Sequence, residues 1–230
     1  MRSSPMLAQL LIRSLSGAVF MALLLFLPAG TWAWPQGWAY LLLFIGYSLA
    51  TGLWLWKRDP QLLAGRMQSP LSSDQRPGDR MTFGVLLIVF CAWFIFIAFD
   101  ARRYGWSHGP LWAQLVGAAL LLWSFWGWTA VLRANSFAAV NVRVQGERDQ
   151  TVISTGPYAA VRHPMYAYCI PYAIGTPLML GSLWGLLGLI PFLAIIVIRL
   201  IGEETVLREG LAGYSDYAAK VRFRLLPGIW

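Results

Sequence analysis

Charge is scarce in this chain. Of its 230 residues 12% are Asp, Glu, Lys or Arg and 58% are hydrophobic, with a mean hydropathy of +0.57. A soluble domain carries about twice that charged share, so water is the wrong solvent for most of the sequence. Acidic residues are the rarer sign, 10 against 18 Lys and Arg, which leaves a formal charge of +8. The excess does not point to nucleic acid, because the basic residues stand in polar segments between apolar runs, where membrane proteins keep their cytoplasmic positive charge. Only two cysteines occur, Cys91 and Cys169, each inside an apolar run. That excludes a disulfide framework or a metal site built on thiolates, and a thiol so placed behaves as a small hydrophobe. Repeats of about 20 to 50 residues and low-complexity tracts are also missing.

What is there is a series of apolar runs near membrane-spanning length. Six spans are expected, over 7–27, 38–56, 81–99, 110–132, 164–180 and 183–201. The last two are short and separated only by Gly181 and Ser182, which predicts a tight helical hairpin. The expected fold class is therefore all-α, a polytopic transmembrane bundle, followed by a cytoplasmic amphipathic helical tail. Arg2 and Arg13 around the start of the first run outline a signal peptide. Trp32, Trp34, Pro35 and a second run follow at once, without a clean small-residue cleavage site, so the first run is read as a retained span. Tryptophans near the run ends, among them Trp38, Trp56, Trp106 and Trp112, form an interfacial belt.

Orientation follows from Lys and Arg. Lys57, Arg58, Arg66, Arg76 and Arg80, then Arg133, Arg143, Arg148 and Arg162, then the tail and the N-terminal arginines all fall on one side, against Arg102 and Arg103 on the other. Both termini and the two long polar loops are expected in the cytoplasm. Within 59–70 the spacing of Leu62, Leu63 and Met67 beside Arg66 fits a short interfacial helix or a solvated loop. The first four runs hold few ionisable residues, whereas most of the polar chemistry follows Asn135. The chain is divided accordingly into a four-span scaffold, 1–133, and a working region, 134–230.

Three features carry chemistry in that region. Gly156-Pro157 forces a turn, and His163-Pro164 opens a helix whose free amides, beside Arg162, offer a site for an anionic group. Taken singly, Arg162 marks a membrane boundary and His163 a helix cap. Glu203 and Glu204 stand adjacent at the end of the last run, with Arg199 one turn before; they form either an interfacial ion pair or part of a site. The tail from Leu207 to Arg224 repeats Leu207, Leu211, Tyr214, Ala218 and Val221 at helical spacing, broken near Gly210 and Gly213, and serves as an anchor or a lid.

In order and spacing, Gly156-Pro157-Tyr158, Val161-Arg162-His163-Pro164-x-Tyr166, Arg199-x-x-x-Glu203-Glu204 and Tyr214-x-x-Tyr217 running on to Arg222, Arg224 and Pro227 resemble isoprenylcysteine carboxyl methyltransferases and related bacterial and phospholipid methyltransferases. Asn135, Phe137 and 142–145 resemble the segment that precedes this signature in bacterial members. The resemblance implies S-adenosylmethionine as cofactor, bound at the cytoplasmic face of a bacterial inner membrane protein. One wall would hold Tyr158, Arg162, His163, Pro164 and Tyr166, and the other Glu203 and Glu204. It also implies a lipophilic acceptor arriving from the bilayer and bearing a carboxylate, thiol or amine, with Arg199, Arg222 and Arg224 as candidates for orienting a carboxylate during catalysis. Metal is not implied. Tyr168 stands where the family usually has glycine, so its ring either points outward or narrows the site. Two other readings compete, an NADPH-dependent membrane reductase related to sterol reductases and a non-catalytic membrane protein; the adjacent glutamates favour the methyltransferase.

Overall fold

A computed structural model describes residues 4–69, 77–141 and 144–230. Arg2, Pro70, Arg76, Val142 and Arg143, used above, lie outside the described residues. Among those described, every regular element is helical. Four long helices coincide with the first four expected spans: α1 (Ser4–Ala29), α2 (Pro35–Arg58), α4 (Pro77–Ala98) and α5 (Leu111–Ala134). Between them lies α3 (Pro60–Arg66), a two-turn helix. Its start is fixed by proline at the first helical position and by Asp59 Oδ1, which accepts from the Leu62 amide at 2.9 Å. α3 is no solvated loop, since Leu62 and Leu63 are buried against Leu10, Leu55 and Leu132.

Among the described residues five helices, against the six expected, are long and apolar enough to cross a membrane: Pro5–Ala29, Pro35–Arg58, Pro77–Arg103, Leu111–Ala134 and Trp184–Gly210. Their outer faces present Ile12, Leu27, Ile88, Leu115 and Ile190. The expected span over 164–180 is instead two short pieces, α6 (Pro164–Ala167) and α7 (Cys169–Leu180), parted at Tyr168. Pro171 explains the break, because it has no N–H for the Ala167 carbonyl and its ring crowds that oxygen. The 12 residues of α7 reach only about 18 Å along the axis. Its position explains why so short a helix suffices. Tyr172, Ala173, Thr176 and Leu180 are buried, and the Tyr172 and Tyr40 hydroxyls meet at 2.7 Å. Backbone enclosed by protein does not have to span the bilayer.

The broadest contact in the bundle is that of α5 with α7. Gly117 and Gly175 make it possible, because a Cβ on Gly175 would stand 2.7 Å from the Gly117 carbonyl oxygen. The chain leaves α7 at Gly181, φ +87°, and passes through the 3-10 turn Trp184–Gly188 into α8 (Leu189–Gly210). α8 runs nine residues beyond the expected end at 201, so Glu203 and Glu204 sit within a continuous helix. A short α9 (Tyr214–Lys220) follows, and the expected break falls at Gly213, φ +80°.

The two ends of the bundle differ. At one end a π-helical turn, Phe99–Arg103, buries Asp100, whose Oδ2 accepts from Ser107 Oγ and Ser182 Oγ, each at 2.6 Å, and from the Trp184 amide at 3.2 Å. One carboxylate thereby ties the α4 terminus to the turn before α8. The other end gathers α3, the segment 135–163 and the tail.

Candidate functional site

At that second end the tail is fastened by backbone and side chain together. The Arg162 and His163 amides donate to the Phe223 and Arg224 carbonyls at 2.9 and 3.0 Å. These two amides lie just before the helix that opens at Pro164, and the tail thereby closes against its start. The Arg162 side chain is engaged as well. Its Nε donates to Glu204 Oε1 at 2.6 Å, and its Nη1 donates to the Val221 and Arg222 carbonyls at 2.9 and 2.8 Å.

Glu204 is the centre of this knot. It is 4% exposed and lies within ion-pair distance of Arg162 (2.6 Å), Arg224 (3.0 Å), His163 (3.3 Å) and Arg208 (3.9 Å). A carboxylate buried in this way stays charged because cations replace its lost hydration. Arg224 is held in turn by Glu204 and stacks over the Trp230 ring at 5.0 Å, whereas the Arg222 side chain is exposed.

Glu203, the next residue, does something else. Its Oε2 accepts from the Tyr166 hydroxyl at 2.7 Å, and that hydroxyl accepts from Arg199 Nε at 3.1 Å. The expected pairing of Arg199 with Glu203 along one helix face is thus relayed through Tyr166. Arg199 is further fixed by the Val140 carbonyl, 2.6 Å from Nη2, and by the Phe83 ring at 5.9 Å.

A turn built on Gly156, φ +58°, carries Tyr158 beside this group. Asn135 Nδ2 donates to the Tyr158 hydroxyl at 2.8 Å, and Tyr217 donates to the Tyr158 carbonyl at 2.8 Å. Burial pushes the Tyr158 phenol up to about 12, so it stays protonated near neutral pH. Burial likewise raises the Tyr214 and Tyr217 phenols.

Several of these groups line one cavity of about 800 Å³. Tyr158, Arg162, His163, Pro164, Tyr166, Arg199 and Glu203 share its polar end. Phe44, Phe83, Leu86, Phe90, Phe192 and Ile196, contributed by α2, α4 and α8, form an apolar extension into the bundle. Glu204 stands behind the wall, and Arg222 and Arg224 are not among the lining residues. Tyr168 also lies off the cavity, packed on Gly127 and edge-on to Trp123 and Trp126.

Four further residues line the cavity that the sequence names without giving them a place in the site: Arg13 of α1, Arg66 of α3, Asn135 and Tyr214. Arg66 is the most informative. Its Nη1 donates to the Ala138 carbonyl at 2.9 Å, and burial lowers its pKa. The available signal was an arginine on the apolar spacing of Leu62, Leu63 and Met67.

Residues 112–212 match the family model described as phospholipid methyltransferase. This match bears out the membrane methyltransferase resemblance for the region that supplies α5 to α8 and most of the polar wall. Together with five apolar helices it supports an integral membrane protein with methyltransferase chemistry. No curated protein matches the chain significantly.

Proposed function

We propose that the protein transfers a methyl group from S-adenosylmethionine to a lipophilic acceptor, and that both meet in the cavity described above. The carrying observation is the continuity of that cavity, polar at the tail end and aromatic and aliphatic within the bundle. The residues present suit the cofactor. Glu203 can accept from its amino or hydroxyl groups, since Tyr166 occupies one carboxylate oxygen. The Tyr214 hydroxyl lines the same space, buried and without a partner among the described residues. Tyr158 and Asn135 add further polar capacity. Arg162, His163, Pro164 and Glu204 hold this wall in register through the Arg162–Glu204 and His163–Glu204 contacts.

The cofactor would supply a methyl group on a sulfonium, a good leaving group, so the chain's task is positioning and the exclusion of water. Arg199, fixed by Tyr166 and Val140, stands between the polar end and Phe83, where it can orient an acceptor's reacting group. A carboxylate or thiolate acceptor needs no base. For an amine or neutral thiol Glu203 is the group with spare acceptor capacity, since His163 and Glu204 hold each other. The positively charged segments gathered at this end support a cytoplasmic site.

Titration of the detergent-purified chain with S-adenosylmethionine, S-adenosylhomocysteine and NADPH tests the reading. Binding of the first two and not the third is expected. Binding of NADPH alone would replace the methyltransferase by a reductase.

A further inference from the structure

The apolar extension of the cavity ends at one level of the bundle. Its lining stops at Phe44 on α2, Phe90 on α4, Trp128 on α5 and Tyr172 on α7. One turn deeper on the same four helices stand Tyr40, Phe94, Ser124 and Thr176, all buried and none bordering the cavity. On α8 the deepest lining residue is Phe192. The cavity is thus closed by packed core on the side away from the tail.

Each phenylalanine of this floor lies on a second aromatic ring. Phe44 stacks on Tyr40 at 6.2 Å between centroids, Phe90 lies against Phe94 at 4.6 Å and Phe192 against Trp93 at 5.7 Å. The backing rings are pinned in turn. The Tyr40 and Tyr172 hydroxyls meet at 2.7 Å, Trp93 Nε1 donates to the Gly185 carbonyl at 2.6 Å, and Phe94 touches both Tyr40 and Trp93. A floor backed in this way yields little, because a filled core resists added volume.

Its depth is set by helix geometry. The seven residues from Phe192 to Arg199 on α8 cover about 10 Å. The same step on α4 separates Phe90 from Phe83, the ring under the Arg199 guanidinium. An extended chain advances about 1.2 Å per bond, so this depth takes an alkyl chain of roughly eight or nine carbons.

We infer that Phe44, Phe90 and Phe192 are specificity-determining residues that limit the acceptor's inserted alkyl chain to about eight or nine carbons. This inference rests on the reading of the cavity as the acceptor's chamber and narrows that acceptor to one with a medium-length chain. A longer chain has to displace a backed ring or fold back on itself, and either overfills the space.

The test titrates the full chain in a neutral maltoside detergent with hexanol, octanol, decanol, dodecanol and hexadecanol, a series that varies the chain and keeps the head. Affinities are referred to mole fraction in the micelle, where every methylene is already in hydrocarbon, so that length dependence reports fit. The affinity of the parent is expected to hold to octanol and to be lower by roughly 5- to 150-fold at dodecanol, the effect of overpacking. Phe90→Ala and Phe192→Ala should bring dodecanol back toward the octanol value. Leu86, half-buried on the lining one turn above Phe90, supplies the converse: Leu86→Phe should weaken octanol and spare hexanol. That variant fills space instead of emptying it and decides the matter if the floor variants do not fold. Dodecanol and hexadecanol binding the parent as tightly as octanol would overturn the inference, since the chain would then leave sideways into the bilayer. An unchanged cut-off in a folded floor variant or in Leu86→Phe would overturn it as well. S-adenosylmethionine titrated in parallel separates the two claims. Cofactor binding without a length cut-off removes only the floor, and a cut-off that moves with these variants in a chain that binds no cofactor removes only the methyltransferase reading.

Discussion

The ring of Tyr168 occupies the space above Gly127, where any Cβ would overlap it. The side chain that is unusual for the family at 168 is thus met by a glycine on the neighbouring helix, and the ring turns to Trp123 and Trp126 instead of the cavity. Tyr168→Gly is expected to leave cofactor affinity unchanged and to lower stability by about 1–2 kcal/mol, through glycine's backbone entropy and the lost ring contact. Gly127→Ala should lower stability by about 1–3 kcal/mol, because the ring must move. Thermal unfolding in detergent and a cofactor titration check both. Tighter cofactor binding in Tyr168→Gly would show that the ring obstructs the site.

The adjacent glutamates should separate cleanly. Glu203→Gln is expected to weaken S-adenosylmethionine binding by roughly 10- to 150-fold with little change in unfolding temperature. Glu204→Gln leaves Arg162, a buried cation, without its counter-charge, and breaking a buried pair costs about 3–5 kcal/mol. It should loosen the tail, read as faster proteolysis after Arg222 or Arg224. The reverse pattern would exchange the roles assigned to the two residues.

The three candidate arginines differ in the same measurable way. Arg199→Ala should slow methyl transfer roughly 10- to 150-fold, since its guanidinium lines the cavity beside Tyr166. Arg222→Ala should leave the rate unchanged, and Arg224→Ala should act on stability through Glu204. A rate loss confined to Arg222→Ala would place the reacting centre outside the cavity.

At the opposite end, Asp100→Ala removes the acceptor shared by Ser107, Ser182 and the Trp184 amide. Each buried donor left unpaired costs about 1–3 kcal/mol. Asp100→Asn keeps one oxygen acceptor and should cost less. Cofactor affinity should survive in whatever fraction folds, which melting curves and titration report together.

Topology can be read with single cysteines in a chain whose Cys91 and Cys169 are replaced by alanine. Cysteines at Gln68 and Gln150 are expected to react from one face of the membrane and one at Tyr104 from the other. Labelling of Gln68 and Gln150 from opposite faces would contradict the bundle.

Much of this molecule is legible in its residues alone, for identifiable reasons. Uninterrupted apolar runs near the thickness of a bilayer leave little choice but helix, because lipid offers the backbone no hydrogen bonds. The turns at Gly156 and Gly213 and the cap at Asp59 are local chemistry. So is the grouping of Tyr158, His163, Tyr166 and Glu203, whose spacing matches a known family. The inner position of α7 is different. A helix surrounded by protein and one surrounded by lipid have the same apolar composition, and only the close approach of Gly117 to Gly175 decides between them. Adjacent Glu203 and Glu204 read as equivalents, yet successive side chains on a helix diverge by about 100°, so one faces the cavity and the other the knot of Arg162 and Arg224. Arg13 and Arg66 reach the same cavity from sequence positions far from its main wall. No local pattern encodes that meeting. It follows from how α1, α2 and α3 pack against the rest of the bundle.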